Sequence, residues 1–309
     1  MTRTQSAVLF SGGIDSTALA CQLAIAGHEL HFLNCDLGKP YVVPYAKKVV
    51  EAIGDQFNVP VHFDSCNMGT VYDVLRSPDK RFVPGYRSFY ALAGLAFADK
   101  LGLNTIYSGE VFSNFSYDYK SLKEDVDVKM MAKMLGSPVG YEATPMAYEK
   151  LAEYYRFSQH YGEEKYTAIV FSTPLYYTTK PDRVRIIKNL NGPLDRTLTC
   201  VNQLEYSATL NKDKPYQCGK GTCYFCNQRR LAFLLAEVED PSEYRYNEEL
   251  PYQLREFVRK QLARKRLDTI LEKEEKAKKF EPEFKLDYTK KCKHDVVIGH
   301  ICTTCACEK

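Results

Sequence analysis

The stretch LFSGGIDST, residues 9–17, limits what this chain can fold into more than any other. The apolar run Ala7–Phe10 reads as a short buried strand, closed by Ser11-Gly12-Gly13. Ala18-Leu19-Ala20 follows and reads as the opening of a helix over 16–27 that stops at Gly27. Two glycines between a strand and a helix let the backbone take positive φ and come close to a ligand. Amides in that bend and the positive end of the helix form an anion site. Ser11, Ser16 and Thr17 add hydroxyl donors, so the pattern predicts a cradle for a phosphate chain. A Walker-type loop is excluded, because Gly219-Lys220-Gly221-Thr222 lacks the upstream glycine.

The same alternation continues. Strands are expected at Leu30–Asn34, Val59–Phe63, Thr105–Ser108 and 167–171, and helices over 41–57, 86–102, 121–135, 146–161, 180–190, 227–238 and 252–280. Short strands alternating with helices predict an α/β fold, a doubly wound parallel sheet covered on both faces. In such sheets ligands sit beyond the carboxyl ends of the strands, where residues 11–16 fall.

The 309 residues suffice for one sizeable core with an appendage, and the net charge of +3 does not by itself point to nucleic acid. No apolar run approaches the roughly 20 residues that span a bilayer. The N-terminal residues reach the first strand too soon for a secretory signal, so the expected compartment is the cytoplasm. Disulfides are then disfavoured. Eight of the 11 cysteines nonetheless fall into two groups, which asks for metal.

Cys200, Cys218, Cys223 and Cys226 follow a C-x17-C-x4-C-x2-C spacing. Four thiolates suit a closed tetrahedral zinc site, and an iron–sulfur cluster is the competing reading. The second group, Cys292, His294, Cys302 and Cys305, could hold another zinc ion, with His300 or Cys307 as substitutes. It follows a charged helical extension and could contact nucleic acid, a partner or nothing. No histidine stands out elsewhere: His28, His31, His62 and His160 read as packing or surface residues.

Ser11-Gly12-Gly13-Ile14-Asp15-Ser16 resembles the S-G-G-x-D-S signature of the PP-loop ATP pyrophosphatases. That resemblance implies cleavage of ATP to AMP and pyrophosphate through an adenylated substrate. It places Leu9 through Thr17 (Leu9, Phe10, Ser11, Gly12, Gly13, Ile14, Asp15, Ser16, Thr17) at the ATP, with Asp15 either shaping the loop or helping to hold Mg²⁺. With "TLTC" at 197–200 and "CYFCNQRR" at 223–230, the chain further resembles the 7-cyano-7-deazaguanine synthase family of the queuosine pathway. Thr173-Pro174-Leu175 with Thr179-Lys180, "VPGYRSFYALAGLAFADKLG" at 83–102 and "CDLGKP" at 35–40 resemble further motifs of that family. Lys39 stands where its D-x-G-Q motif has Gln, Pro84-Gly85-Tyr86-Arg87-Ser88 replaces its P-G-R-N, and Tyr117-Asp118 is the nearest remnant of its G-Y-P-D-C-R loop.

The resemblance, over roughly 6–236, implies a ligase that uses ATP, Mg²⁺, Zn²⁺ and ammonia. It would adenylate the carboxylate of a 7-carboxy-7-deazaguanine, aminate it, and either stop at the amide or proceed to the nitrile. Asp36 would then face the nucleotide, Arg87 an acidic group, and Gly109, Glu110 and Asp118 the guanine-like edge. The expected organisation is a nucleotide domain over 1–195, a zinc region over 196–238, a charged extension over 239–291 and a small finger over 292–309. A PP-loop tRNA-modifying enzyme such as a thiolase, and a nucleotide-binding module without turnover, are the alternatives. A homodimer is left open.

Overall fold

The computed structural model describes residues 3–36, 38, 42–71, 86–110, 152–153, 155–156, 169–200, 216–246 and 248–276. In chain order, β1 (Gln5–Leu9), α1 (Ile14–Ile25), β2 (Glu29–Asp36), α2 (Val42–Phe57) and β3 (Val61–Asn67) come first. Then follow α3 (Tyr86–Lys100), β4 (Thr105–Ser108), β5 (Val170–Ser172) and α4 (Lys180–Asn189). A 3₁₀ turn at Leu194–Arg196, β6 (Tyr216–Gln217), α5 (Tyr224–Ala236), β7 (Glu243–Tyr244) and α6 (Tyr252–Lys276) complete the described elements.

The main sheet has the order β3-β2-β1-β4-β5, and every pairing in it is parallel. β2 and β4 flank β1 on opposite sides, so the strand order reverses beside β1 and opens a crevice at its carboxyl end. Alternating side chains load the two faces. Val8, Leu30 and Phe32 point to one layer, where they pack with Ala18, Leu19, Val49, Ile53, Val184, Ile187 and Phe233 from α1, α2, α4 and α5. Ala7, Leu33, Ile106 and Phe171 point to the other, against Ala91, Leu95 and Ala98 of α3. This is the doubly wound α/β fold that the alternation predicts.

The chain divides into two compact units, Met1–Val258 and Arg259–Lys309, and the division falls within α6. The first holds the sheet; of the second, the structure describes residues 259–276, all helical. The expected helix over 121–135 lies outside the described residues, as does most of 146–161, of which Ala152, Glu153, Tyr155 and Arg156 are helical.

α1 begins at Ile14, two residues earlier than the sequence pattern predicts, with Gly13 as its N-cap. The earlier start turns the amides of the SGGIDS stretch into the first helical turn. Two glycines permit it. Gly12 has φ of 74°, and a Cβ there would lie 3.1 Å from Ala46 Cα. A Cβ on Gly109, at the end of β4, would lie 2.8 Å from the carbonyl carbon of Asp15. Gly109→Ala must therefore push β4 away from α1. We expect it to lower stability by about 1–3 kcal/mol, read as a reduced urea midpoint with an unchanged slope.

Candidate functional site

At the end of β1 the backbone is pinned before it bends. Asn34 Nδ2 donates to Phe10 O at 2.8 Å, and Phe10 N donates to Leu33 O at 2.9 Å. The Ser16 hydroxyl then ties the loop together: it donates to Gly13 O at 3.2 Å, accepts from Ser11 N at 3.3 Å and lies 3.2 Å from Ser11 Oγ. Helix α1 itself supplies no acceptor for the amides of Ile14, Asp15 and Ser16, which belong to its first turn. They face the crevice where the sheet order reverses, so dipole and donors converge where an anion would sit. Ser11 is exposed and Thr17 fully buried, its Oγ1 lacking a partner.

Asp15 is held by two cations from α4. Lys180 Nζ lies 2.8 Å from Asp15 Oδ2, and an Arg183 Nη lies 3.1 Å from Oδ1. Arg183 is fully buried, and its donors are spread over the site. It donates to Gly109 O at 2.9 Å, Glu110 O at 3.2 Å, Leu175 O at 2.5 Å and Thr178 Oγ1 at 3.0 Å. Burial alone would raise the Asp15 carboxyl; the charges and hydrogen bonds of Lys180 and Arg183 outweigh it and hold it below its ordinary value. Burial draws the Arg183 guanidinium down, against the opposing charges of Asp15, Glu110 and Asp182. Helix α4 is itself set by Asp182, whose Oδ2 accepts from Thr179 N at 2.8 Å and from Thr179 Oγ1 at 2.5 Å.

Asp36 ends β2 beside this crevice. Its Oδ1 accepts from Gly38 N at 2.9 Å, and its carbonyl accepts from Met68 N at 2.7 Å, so it shapes the turn. Gly109 and Glu110 stand at the end of β4 against Arg183. Arg87 lies in the first turn of α3, and its side chain is outside the described residues. Asp118 and the group Cys292, His294, Cys302 and Cys305 are outside them as well.

The four cysteines Cys200, Cys218, Cys223 and Cys226 come together as the spacing requires. All are buried, and their sulfurs lie within 4.8 Å of one another. The Sγ atoms of Cys200 and Cys223 are 3.8 Å apart, and those of Cys218 and Cys226 are 3.4 Å apart. Helix α5 starts at Tyr224, three residues before the sequence pattern places it, which makes Cys223 its N-cap and sets Cys226 in its first turn. The Cys200 thiol is pushed up to about 12, chiefly by its hydrogen bond with Cys223, while the bonds from Cys200 and Cys226 draw Cys223 down. Four convergent sulfurs with no oxygen ligand among them fit a closed metal site.

This cluster is wired to the SGGIDS loop. Gln217 Oε1 accepts from Cys200 N at 3.0 Å, and Gln217 Nε2 donates to Thr197 O at 3.3 Å. The fully buried Arg229 donates to Thr197 Oγ1 at 2.9 Å and Thr199 Oγ1 at 3.1 Å, and pairs with Asp240 at 3.2 Å. The segment so fixed passes its Leu198 amide to Gly12 O at 2.9 Å. Lys180 as a partner of Asp15, Arg183, Gln217 and Arg229 were not assigned roles from the sequence. Of these, Lys180 and Arg229 lie inside motifs already noted, and only their placement reveals their partners.

Fold, loop and cysteine cluster together describe a doubly wound α/β protein with a glycine-rich loop at the sheet's reversal and a buried cysteine cluster that could bind a metal. The family model for Queuosine biosynthesis protein QueC matches residues 5–237, and the chain belongs to that family. A 7-cyano-7-deazaguanine synthase of Thermoplasma acidophilum is 23% identical over 84% of this chain and 99% of its own. One from a Cyanothece species is 25% identical over 77% of this chain and 98% of its own. Among solved structures, a 4-thiouridine synthetase–RNA complex with bound ATP aligns with 61% of this chain and 41% of its own, at 15% identity and a TM-score of 0.36.

The depressed Asp15 carboxyl makes a pH prediction. Its folded value lies below the unfolded one, near 3.9, so the folded state binds fewer protons there. Its stabilisation is fully present above the unfolded value and is lost as pH falls through the folded one. Asp15→Asn is expected to cost about 3 kcal/mol at neutral pH. The gap between variant and wild type should begin to narrow below about pH 4 and close only as pH falls through the lower folded value, measured by urea unfolding across that range.

Proposed function

We propose that this chain is an ATP-dependent carbon–nitrogen ligase that converts 7-carboxy-7-deazaguanine into 7-cyano-7-deazaguanine. Membership of the family, matched over residues 5–237, is the observation that carries the reading. The loop at the sheet's reversal supports it, since it offers what adenylation needs. Residues Leu9 to Thr17 would take the triphosphate, with Asp36 beside the nucleotide. Pyrophosphate gains charge as it leaves, and amides fixed in advance around it lower that barrier without reorganising. Asp15 is engaged with Lys180 and Arg183, which favours its shaping the loop over its holding Mg²⁺; the magnesium ion would then travel with the triphosphate. Glu110, Arg87 and Asp118 are the proposed contacts to the deazaguanine.

In the first half-reaction a carboxylate oxygen of the substrate bonds to the α-phosphorus of ATP and pyrophosphate departs. Ammonia then bonds to the acyl carbon and AMP leaves with that oxygen, giving the amide. In the second, the amide oxygen is adenylated by another ATP. AMP departs with it, the amide nitrogen gives up its two protons, and a nitrile remains. The chain's contribution is to align the acid with the α-phosphate and to keep water out, which can be worth several kcal/mol.

Zinc at Cys200, Cys218, Cys223 and Cys226 would fix the Thr197–Cys200 segment and, through Leu198, the Gly12 carbonyl. The tail group Cys292, His294, Cys302 and Cys305 is a second zinc candidate. Nucleotide chemistry is assigned to 1–195 and metal to 196–238.

Purified protein given ATP, Mg²⁺, ammonium and 7-carboxy-7-deazaguanine should release AMP and pyrophosphate. It should form the nitrile by mass spectrometry, with two AMP per nitrile. Product stopping at the amide, with one AMP, would keep the ligase and shorten the reaction. No AMP would overturn the reading. Cys223→Ser should lose zinc by elemental analysis and at least about tenfold in turnover.

A further inference from the structure

A second cluster of metal-type ligands lies at the other end of the sheet. Glu29 and His31 are on β2 and His62 is on the edge strand β3, with His31 and His62 in register. Paired residues of parallel strands share a face, and so do residues two apart on one strand, so all three side chains stand on the α3 face near the amino ends of their strands. The nucleotide loop leaves from the carboxyl ends. His62 Nε2 lies 2.9 Å and His31 Nε2 3.6 Å from Glu29 Oε1, and the three ligand atoms fall within 4.8 Å of one another. The imidazoles stack, with centroids 4.4 Å apart and planes 14° from parallel, so their Nε2 edges sit side by side.

The burial of these groups is graded. The His31 side chain is 13% exposed, that of Glu29 22% and that of His62 51%. The Nε2 atom of His31 is fully buried and has no hydrogen-bond partner. A buried imidazole nitrogen without a partner is costly, and a cation or a proton shared with Glu29 would relieve it. Gln5, opposite Glu29 on β1, hydrogen-bonds to Glu29, a support of the kind that orients metal-bound carboxylates. Asp64, two residues beyond His62 on the same face, adds a second negative charge felt by His31.

We infer that Glu29, His31 and His62 form a site for a divalent transition metal of the zinc class, closed by water on the exposed His62 side. Two imidazoles and one carboxylate suit such ions, and an ion held by bonds of about 2.0–2.2 Å would need only small shifts of these three atoms. A bound ion satisfies His31 Nε2 and clips the edge strand β3 to β2. It plays no part in the adenylation chemistry. This assigns ligand roles to His31 and His62, which the sequence reads as packing or surface residues.

The test is zinc stoichiometry on the tag-free full chain, saturated with Zn²⁺ and freed of excess, comparing wild type with His62→Ala and Glu29→Gln. His62 is half exposed and Gln keeps the shape of Glu, so both variants should fold. Wild type is expected to hold one zinc more per chain than either variant, and added Zn²⁺ should raise its melting temperature but not theirs beyond the cysteine sites' share. Equal zinc in all three proteins, with equal thermal shifts, would overturn the site and leave the cluster as a Glu–His hydrogen-bonded pair.

Discussion

The contact between Asp15 and the two cations of α4 fixes the rest of the site. Asp15 belongs to the first turn of α1, and Lys180 and Arg183 to the first turn of α4, so one ion-paired junction sets both helix starts. The guanidinium of Arg183 is fully buried, which is affordable only because carbonyls of Gly109, Glu110 and Leu175 and the Thr178 hydroxyl take its donors. Those acceptors come from the end of β4 and from the loop before α4. Moving any of these pieces would leave donors of a buried charge without acceptors.

The cysteine cluster acts on the same loop through a separate set of bonds. Gln217 and Arg229 hold the Thr197–Cys200 segment, and Leu198 passes the constraint to Gly12. The SGGIDS loop is thus braced by α4 through a charge network and by the cysteine cluster through the Leu198–Gly12 hydrogen bond. Preorganisation of this kind matters most for a reaction whose barrier is charge developing on a leaving group. It also gives the cysteines a structural reason to be linked to this loop.

Much of this was legible in the sequence where the signal is local. The SGGIDS bend, the strand–helix alternation and the close-set Cys218, Cys223 and Cys226 are short-range patterns, and the strands of the main sheet and the described helices lie within a few residues of their expected places, whereas β6, β7 and the 3₁₀ turn were not expected. Helix starts were less legible: α1 and α5 begin early, with Gly13 and Cys223 as N-caps; glycine has no side chain to cap with, and the Cys223 side chain makes no capping bond. The partners of Asp15 lie 165 and 168 residues further on, and no periodicity connects them. The pairing of His31 with His62 depends on strand register, which is settled only when the sheet is assembled. Those are contacts of tertiary structure, and a single sequence carries them only implicitly.

The central claim is that the carboxylate itself is activated at the α-phosphorus, by a loop held for that purpose. Isotope tracing tests it most directly. With both carboxylate oxygens of 7-carboxy-7-deazaguanine labelled as ¹⁸O, each AMP released should carry one label, and pyrophosphate none, by mass spectrometry. Label in pyrophosphate or in inorganic phosphate, or unlabelled AMP formed alongside product, would contradict it.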